Sequence, residues 1–138
     1  MCSFLVTNGV IEDLDYINFY MKRRGPNKTN QFVYHGYNFI HNILSITGPL
    51  TVQPFIDDTD NIVCIYNGEI YNFGNYKSDG ECLIPLYKKY GPSFTNHLDG
   101  EFSIALFDFK NDIFIIATDP FATKPLWMSL ENGFGIAR

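Results

Sequence analysis

Residues 61–71 read Asn-Ile-Val-Cys-Ile-Tyr-Asn-Gly-Glu-Ile-Tyr, and this stretch decides how the surrounding chain is interpreted. Its first six residues are rich in β-branched and aromatic side chains and predict a strand. Asn67-Gly68, which follows, is open to two interpretations. Between β-rich flanks it is the strongest local signal of a type I′ hairpin turn. As an amide and a glycine N–H it also suits an oxyanion hole, because glycine lets a substrate approach the backbone closely.

Outward from this stretch, further strands and two helices are predicted. Residues 11–24 have apolar side chains at helical spacing and a basic last turn before Gly25-Pro26, which predicts a helix. Residues 78–90 predict a second helix, opened by Ser78 and Glu81 as a capping box. Residues 31–47 predict one bent strand or a hairpin. Further strands are predicted at residues 3–7, around 102–106, at 113–118, and in a final hairpin of residues 126–130 and 134–137.

The composition favours a single folded domain, residues 1–138. Of the 138 residues, 46% are apolar and 18% are charged, which excludes an intrinsically disordered chain. Ten scattered basic residues against 15 acidic ones give no phosphate-binding footprint, so we expect no nucleic-acid partner. The longest apolar runs are too short to span a bilayer, so we expect no membrane association.

Cysteine and histidine usage argues against disulfides and metals. Three cysteines without a signal peptide favour reduced thiols and a cytoplasmic location. The chain has no zinc-type spacing and no glycine-rich phosphate loop, so we expect neither a metal nor another cofactor. His35, His41 and His97 are predicted to be hydrogen-bonded core histidines or half-buried ones.

Cys2 is the one unusual placement. A small second residue allows removal of Met1, which would leave Cys2 with both a thiol and a free α-amine. A free thiol titrates near ~8.5, whereas an α-amine titrates near ~7.7–8.0 and can act as the base for its neighbour. The alternative interpretation is a cysteine that merely happens to stand second.

Asp79 is a third candidate for chemistry. The capping box accounts for Ser78 and Glu81 and leaves Asp79 free at the head of the predicted helix. A carboxylate in that position suits the binding of a substrate ammonium group.

Read together, these motifs resemble the N-terminal glutaminase domain of asparagine synthetases, which are class II (N-terminal nucleophile, Ntn) glutamine amidotransferases. The similarity covers almost the whole chain, and its specificity lies in the order of the motifs. The motifs are Met1-Cys2, Arg24-Gly25-Pro26, Leu44-Ser45-Ile46, Gln53-Pro54, Asn67–Asn72, Ser78–Glu81, Leu98–Phe102 and Asp119–Leu126.

The resemblance implies an α+β fold, a four-layer αββα Ntn-hydrolase sandwich with two sheets between helix layers. It implies hydrolysis of the glutamine side-chain amide to glutamate and ammonia through a thioester on Cys2. By position, Asn67 and Gly68 match the oxyanion hole, while Glu69 and Asp79 match residues that hold the glutamine α-amine. The remaining substrate-binding candidates line a pocket wall: Ile43, Leu44, Ser45, Ile46 and Thr47.

The chain departs from the family pattern at three places. Ile43 stands where the family has an arginine that pairs with the substrate α-carboxylate. We therefore predict weak binding of free glutamine, unless a cation such as Lys28 or Arg24 substitutes. Ser3 stands where the family usually has glycine, and the stretch between Asn72 and Ser78 is short enough to lack a surface helix.

The sequence stops before the family's domain usually does, and it lacks the serine-glycine-glycine ATP-binding motif of a synthetase domain. We therefore expect a shortened fold, C-terminally truncated if the chain is a fragment. A subunit of a split enzyme and a free-standing relative are the other readings. The expected partner is an ATP-dependent synthetase domain or subunit on another chain, which would use the ammonia for asparagine biosynthesis.

Three functions stay open at this point. The first is an active glutaminase that feeds a synthetase partner. The second is a degenerate, non-catalytic domain kept for binding or assembly. The third is an N-terminal-nucleophile amidase that acts on a substrate other than free glutamine. Cys2, Asn67, Gly68 and Asp79 favour the first and third, whereas Ile43 counts against the first alone.

Overall fold

The computed structural model describes residues 2–46 and 50–138, which form two compact units. The first unit consists of the residues up to Val52 together with Leu126–Arg138, and the second consists of Gln53–Pro125. The described residues contain two α-helices and two antiparallel sheets, so the predicted α+β class is confirmed. These are the components of a sandwich domain of the predicted kind.

A five-stranded antiparallel sheet forms the first unit. Its strands, in spatial order, are β2 (Lys28–Tyr34), β3 (Tyr37–Ile43), β1 (Ser3–Thr7), β9 (Gly135–Ala137) and β8 (Trp127–Ser129). β1 is central: Ser3 lies opposite Asn42 on β3, and Leu5 lies opposite Ala137 on β9. All five residues of β1 are buried, and its two faces differ: Phe4 and Val6 make one face apolar, while Ser3 and Thr7 flank Leu5 on the other.

Of the two interpretations of residues 31–47, the hairpin is correct. β2 and β3 are joined through His35 and Gly36, whose φ angles are 47° and 79°. A type I′ turn needs positive φ at both central residues, and glycine supplies the second at no steric cost. The hairpin begins earlier than predicted, at Lys28, because the three residues before Gln31 continue the ladder with β3.

The first helix, α1 (Leu14–Met21), is shorter than predicted and continues as a 3₁₀ turn over Lys22–Arg24. The predicted start at residue 11 is wrong because Asp13 is the N-cap, its carboxylate accepting the Tyr16 N–H at 2.8 Å. None of its residues is fully buried.

The second unit is a four-stranded antiparallel sheet with a helix on one face. Its strands lie in chain order: β4 (Phe55–Asp57), β5 (Ile62–Ile70), β6 (Gly100–Asp108) and β7 (Ile113–Thr118). β4 was not predicted. The helix α2 (Leu83–Tyr90) lies between 3₁₀ turns at Asp79–Cys82 and Gly91–His97.

An apolar core joins α2 to β5 and β6 of the second unit. Its buried side chains are Ile62, Cys64, Tyr66, Ile70, Cys82, Leu83, Ile84, Tyr87, Phe94, Phe102, Ile104 and Leu106. No helix in the described part of the chain is long and apolar enough to cross a membrane.

Candidate active site

Cys2 directly precedes β1 and is half-buried. The Leu44 N–H donates to its Sγ at 3.4 Å, and the thiol donates to the Leu44 carbonyl at 3.9 Å. The candidate nucleophile therefore lies against the segment predicted as a pocket wall. Because β1 is buried and paired on both sides, the backbone that carries the thiol is held firmly.

Ser3 has a structural role that the sequence did not predict. Its Oγ donates to the Met21 carbonyl at 2.8 Å and accepts from the Asn42 Nδ2 at 3.2 Å. Asn42 also donates to Asn18 Oδ1 and accepts from Thr29 Oγ1, each at 2.8 Å. This network joins the start of β1 to α1, β2 and β3, so it gives a reason for serine where the family usually has glycine.

Gly25, in the Arg24-Gly25-Pro26 motif, allows a close approach of two backbone segments. A Cβ at this position would lie 2.1 Å from the Asn42 carbonyl oxygen, a backbone atom that cannot move aside cheaply. The motif therefore holds the turn after α1 directly against β3, beside the Cys2–Leu44 contact.

The residues of the predicted pocket wall differ in their exposure to solvent. Ile43 is only 4% exposed, Leu44 is half-buried, and Ser45 and Ile46 are exposed. Asn27 fixes the segment, because its N–H donates to the Ile43 carbonyl at 3.0 Å and its Oδ1 accepts the Ser45 N–H at 2.9 Å. Thr47, the last predicted wall residue, lies outside the described residues.

Asn67 and Gly68 lie inside β5, so their interpretation as a hairpin turn is wrong. They pair in register with Ser103 and Phe102 on β6. Gly68 has a φ of 155°, and a Cβ there would lie 2.0 Å from the Glu101 carbonyl oxygen. The glycine is thus required by strand packing, while Asn67 is 4% exposed on the β5 face opposite the α2 core.

Glu69 stands at the exposed end of the same strand and lies directly opposite Glu101 on β6. Two carboxylates in this relation repel each other. Lys124 relieves the repulsion through an ion pair with Glu101 at 2.7 Å. A substrate ammonium group near Glu69 would add a second positive charge to this acidic pair.

Asp79 is not free, as the sequence suggested, but joins β5 to the following 3₁₀ turn. Its Oδ1 accepts from the Tyr66 hydroxyl and from the Gly80 N–H, and its Oδ2 accepts the Ile70 N–H at 2.9 Å. A carboxylate offers about four lone-pair sites, so Oδ2 retains capacity for one further donor. These bonds hold Asp79 beside the strand that carries Asn67, Gly68 and Glu69.

The predicted capping box does not form. Ser78 makes no side-chain cap, and Glu81 Oε2 accepts the Lys77 N–H at 3.2 Å rather than the Ser78 N–H. The predicted helical segment begins with the 3₁₀ turn Asp79–Cys82, and α2 starts only at Leu83. Pro85 lies in the first turn of α2, where its lack of a backbone N–H costs little. The second helix is therefore confirmed with a later start than predicted.

His41 departs from the prediction of a hydrogen-bonded core histidine. It is 1% exposed, and neither ring nitrogen has a hydrogen-bond partner among the described residues. Burial lowers the pKa of His41 to about 4, so its ring is neutral at pH 7. His35 is exposed at the β2–β3 turn, and His97 stacks on Tyr90 with ring centroids 3.7 Å apart.

Gln53 is a residue whose role the sequence did not reveal. Its Oε1 accepts the Tyr66 N–H at 2.8 Å, and the bond from Gln53 to Pro54 is cis. It thereby binds β5 just before Asn67. A glutamine directly before proline was the available signal, but its partner is remote in sequence.

Each unit by itself brings some of the predicted site residues together. The first unit brings together Cys2, Ile43 and Leu44, and the second brings together Asn67, Gly68, Glu69 and Asp79. In general a thiol can act as a nucleophile, amide and backbone N–H groups can stabilise an oxyanion, and a carboxylate can bind an ammonium group. Within residues 2–46 and 50–138, no cluster of three or more His, Cys, Asp or Glu side chains could hold a metal ion.

Comparison with known proteins identifies the family of this chain. The profile of a family described as a glutamine amidotransferase domain matches residues 1–137. The chain is 31% identical to a probable asparagine synthetase (glutamine-hydrolysing) of Schizosaccharomyces pombe, over 96% of this chain and 27% of that protein. It is 32% identical to asparagine synthetase (glutamine-hydrolysing) 2 of Bacillus subtilis, over 91% and 18%.

A relative with a different name matches equally well. The chain is 34% identical to amidase chry2 of Gibberella zeae, over 89% of this chain and 21% of that protein. The chain thus spans about a fifth to a quarter of the length of these curated relatives.

Proposed function

Because the chain belongs to the glutamine amidotransferase domain family and is homologous to asparagine synthetase glutaminase domains, we propose that it hydrolyses the side-chain amide of glutamine. The products are glutamate and ammonia. The observation that carries the proposal is the half-buried Cys2 thiol, held against Leu44 at the start of a fully buried central strand. No other described cysteine suits the role, because Cys64 and Cys82 are buried and burial raises the pKa of both thiols.

The reaction proceeds in two acyl-transfer steps. The Cys2 sulfur attacks the amide carbon, and the α-amine freed by removal of Met1 takes the thiol proton. That proton passes to the leaving nitrogen. The C–N bond then breaks, ammonia leaves, and the acyl group remains on Cys2 as a thioester. Water then adds to the thioester carbon, the C–S bond breaks, and glutamate leaves with the thiol restored.

The other candidate residues have roles that follow from their chemistry. The Asn67 amide and the Gly68 N–H stabilise the negative oxygen of each tetrahedral intermediate. Glu69 and the remaining lone pair of Asp79 Oδ2 hold the substrate α-amine. Ile43, Leu44, Ser45 and Ile46 form a wall of the pocket.

The experiment is an ammonia-release assay on L-glutamine with the processed chain. Cys2→Ala should abolish release while leaving the melting temperature within a few degrees, because a half-buried cysteine contributes little packing at the start of a strand. Cys64→Ala is the matched control and should retain turnover per folded molecule. Turnover by Cys2→Ala equal to that of the wild type would refute the mechanism.

The second requirement is the free α-amine. A chain that retains Met1, verified by intact mass, should be inactive although folded, because the base is then an amide. Equal turnover with Met1 attached would assign the base to another group.

The ammonia acceptor is a separate part of the proposal. This chain covers only 27% and 18% of two relatives named as glutamine-hydrolysing asparagine synthetases, so we assign the acceptor to an ATP-dependent synthetase domain or subunit. Glutamine-dependent amide formation by the two proteins together, with free ammonia as the positive control, tests it.

An amidase acting on another substrate is the second candidate function. The apolar, 4% exposed Ile43 beside Cys2 and the similarity to a protein named amidase both favour it. Ammonia release from amides that lack an α-carboxylate, at a rate above that from L-glutamine, would favour this candidate over the first.

A further inference from the structure

The backbone of Arg138 extends the ladder between β9 and β1. Its N–H donates to the Phe4 carbonyl at 2.9 Å, and its carbonyl accepts the Phe4 N–H at 3.1 Å. Residues that exchange both hydrogen bonds lie directly opposite, with their side chains on one face of the sheet. Arg138 therefore shares a face with Phe4, and also with Cys2, which is two residues from Phe4.

The same register defines what else surrounds Cys2 on that face. Since Ser3 lies opposite Asn42, Cys2 is opposite Ile43 on β3. Arg138 is the diagonal neighbour of Cys2 on the β9 side. Diagonal neighbours have their Cβ atoms ~7–8 Å apart, which is within reach of a long side chain. Cys2 thus has an apolar neighbour on one side and an arginine on the other.

The Arg138 side chain has unused hydrogen-bonding capacity. Its Nε is buried without a hydrogen-bond partner among the described residues. All ion pairs of the described residues lie within Gln53–Pro125, so none of them involves Arg138. A buried polar group without a partner is costly, and native proteins usually satisfy it with protein, water or ligand.

The charge around Arg138 favours an anion as its binding partner. Burial, together with the positive charge of Arg24, lowers the pKa of Arg138. Two arginines close enough to influence each other repel, and a carboxylate beside them would offset that repulsion and could accept a hydrogen bond from the Arg138 Nε. His41 is also opposite Phe4 on the same face, and neither of its buried ring nitrogens has a hydrogen-bond partner among the described residues.

We infer that Arg138 binds the α-carboxylate of the substrate, so that the substrate class is free α-amino acid amides such as L-glutamine. This inference rests on the proposed glutaminase function. It moves the carboxylate-binding cation from position 43 on β3 to β9, on the other side of Cys2. Ile43 alone led us to predict weak binding of free glutamine. With Arg138 binding the α-carboxylate, we expect the affinity for glutamine to be as high as with an arginine at position 43.

Lys28 is a poorer candidate than Arg138 and serves as a control. Lys28 lies opposite Ile43 on β2, so Ile43 separates it from Cys2. Its side chain is exposed, and an ammonium group lacks the planar fork with which arginine binds a carboxylate.

The test compares L-glutamine with 4-aminobutanamide, which keeps the amine and the side-chain amide but lacks the α-carboxylate. Arg138→Gln should raise the KM for L-glutamine by ~10-fold to ~100-fold with kcat nearly unchanged, as expected when a charge-assisted contact is lost. The KM for 4-aminobutanamide should change by less than about twofold, and Lys28→Gln should leave both values close to the wild type.

Arg138→Lys is the second variant and protects the test against misfolding. It keeps the charge but loses the bidentate fork, so its KM for L-glutamine should lie between those of the wild type and Arg138→Gln. If Arg138→Gln does not fold, an unchanged KM in Arg138→Lys overturns the inference. Equal increases in KM for both substrates overturn it as well.

A binding measurement separates this inference from the proposed function. If the wild type releases no ammonia from either amide, the proposed function fails, but calorimetric titration of the Cys2→Ala chain with L-glutamine still tests Arg138. If the Cys2→Ala chain binds L-glutamine and the double variant Cys2→Ala, Arg138→Gln does not, the inference is supported. Equal affinity with and without Arg138, or no binding of L-glutamine at all, overturns it.

Discussion

At the residue scale, polar side chains next to Cys2 have a structural role that the sequence did not predict. Ser3 and Asn42 fix the strand that carries the thiol, through bonds of 2.8–3.2 Å to α1, β2 and β3. Ile43, directly opposite Cys2 on β3, is only 4% exposed. Positioning in the first unit therefore depends on a polar network that is not itself reactive.

Asn67→Ala tests the oxyanion role at this scale. We expect kcat for glutamine hydrolysis to fall by ~10²-fold or more, because one preorganised donor is removed from the developing negative charge. Ser103→Ala is the matched control: Ser103 lies opposite Asn67 on β6 and donates to its carbonyl, but has no proposed contact with substrate. Measuring kcat and melting temperature on the same samples separates catalysis from folding. A kcat for Asn67→Ala equal to that of Ser103→Ala would contradict the role.

At the element scale, α2 is held to its sheet by a buried polar bond as well as by apolar packing. The Tyr87 hydroxyl donates to Asp108 Oδ2 at 2.7 Å, and both residues are buried. Asp108 also accepts from the Asn111 N–H and Nδ2, so its carboxylate caps the turn between β6 and β7. One carboxylate thus connects a helix, a strand and a turn.

Tyr87→Phe should lower the free energy of unfolding by ~1–3 kcal/mol. The variant keeps the ring in the core but removes one donor from a buried carboxylate, which is left partly unsatisfied. Tyr90→Phe, in the same helix but only partly buried, is the control and should change stability by less than about 0.5 kcal/mol. Urea unfolding of both variants gives the comparison. Equal midpoints would show that the hydroxyl bond contributes nothing.

At the scale of the whole molecule, the pH dependence of stability should carry the signature of His41. Burial lowers the pKa of His41 to about 4 in the folded chain, whereas an unfolded histidine titrates near ~6.5. Between these values the unfolded chain binds more protons, so stability falls as pH decreases from about 6.5 to about 4. The loss contributed by this group is roughly 3 kcal/mol over that window.

The measurement is chemical unfolding of the wild type and of His41→Gln at pH 7.5 and pH 4.5. The difference between the two chains isolates the histidine, because the carboxylates titrate alike in both. The wild type should lose stability relative to His41→Gln on acidification. Parallel losses in the two chains would contradict the neutral, buried state of His41.

The amino-acid sequence by itself determined the family, the α+β class and most of the strands. β1 and β7 have the predicted bounds, and the two helices are confirmed with later starts. It also identified Cys2 and the Asn67–Asp79 candidates, whose roles stay predictions. These features are accessible because hydrophobic periodicity, turn residues and ordered motifs are local properties of the chain.

Only the tertiary structure decided how those segments pair and what each polar group binds. Asn67-Gly68 favours a turn locally, yet pairing with β6 keeps it in a strand, because nine residues of ladder outweigh one dipeptide preference. Asp79 accepts hydrogen bonds, and His41 has no hydrogen-bond partner among the described residues, for the same reason: their neighbours come from other elements. Arg138 shares a sheet face with Cys2 because β9, near the end of the described chain, pairs with β1, near its start. Register between distant strands is set by burial of whole faces, and no local pattern contains it.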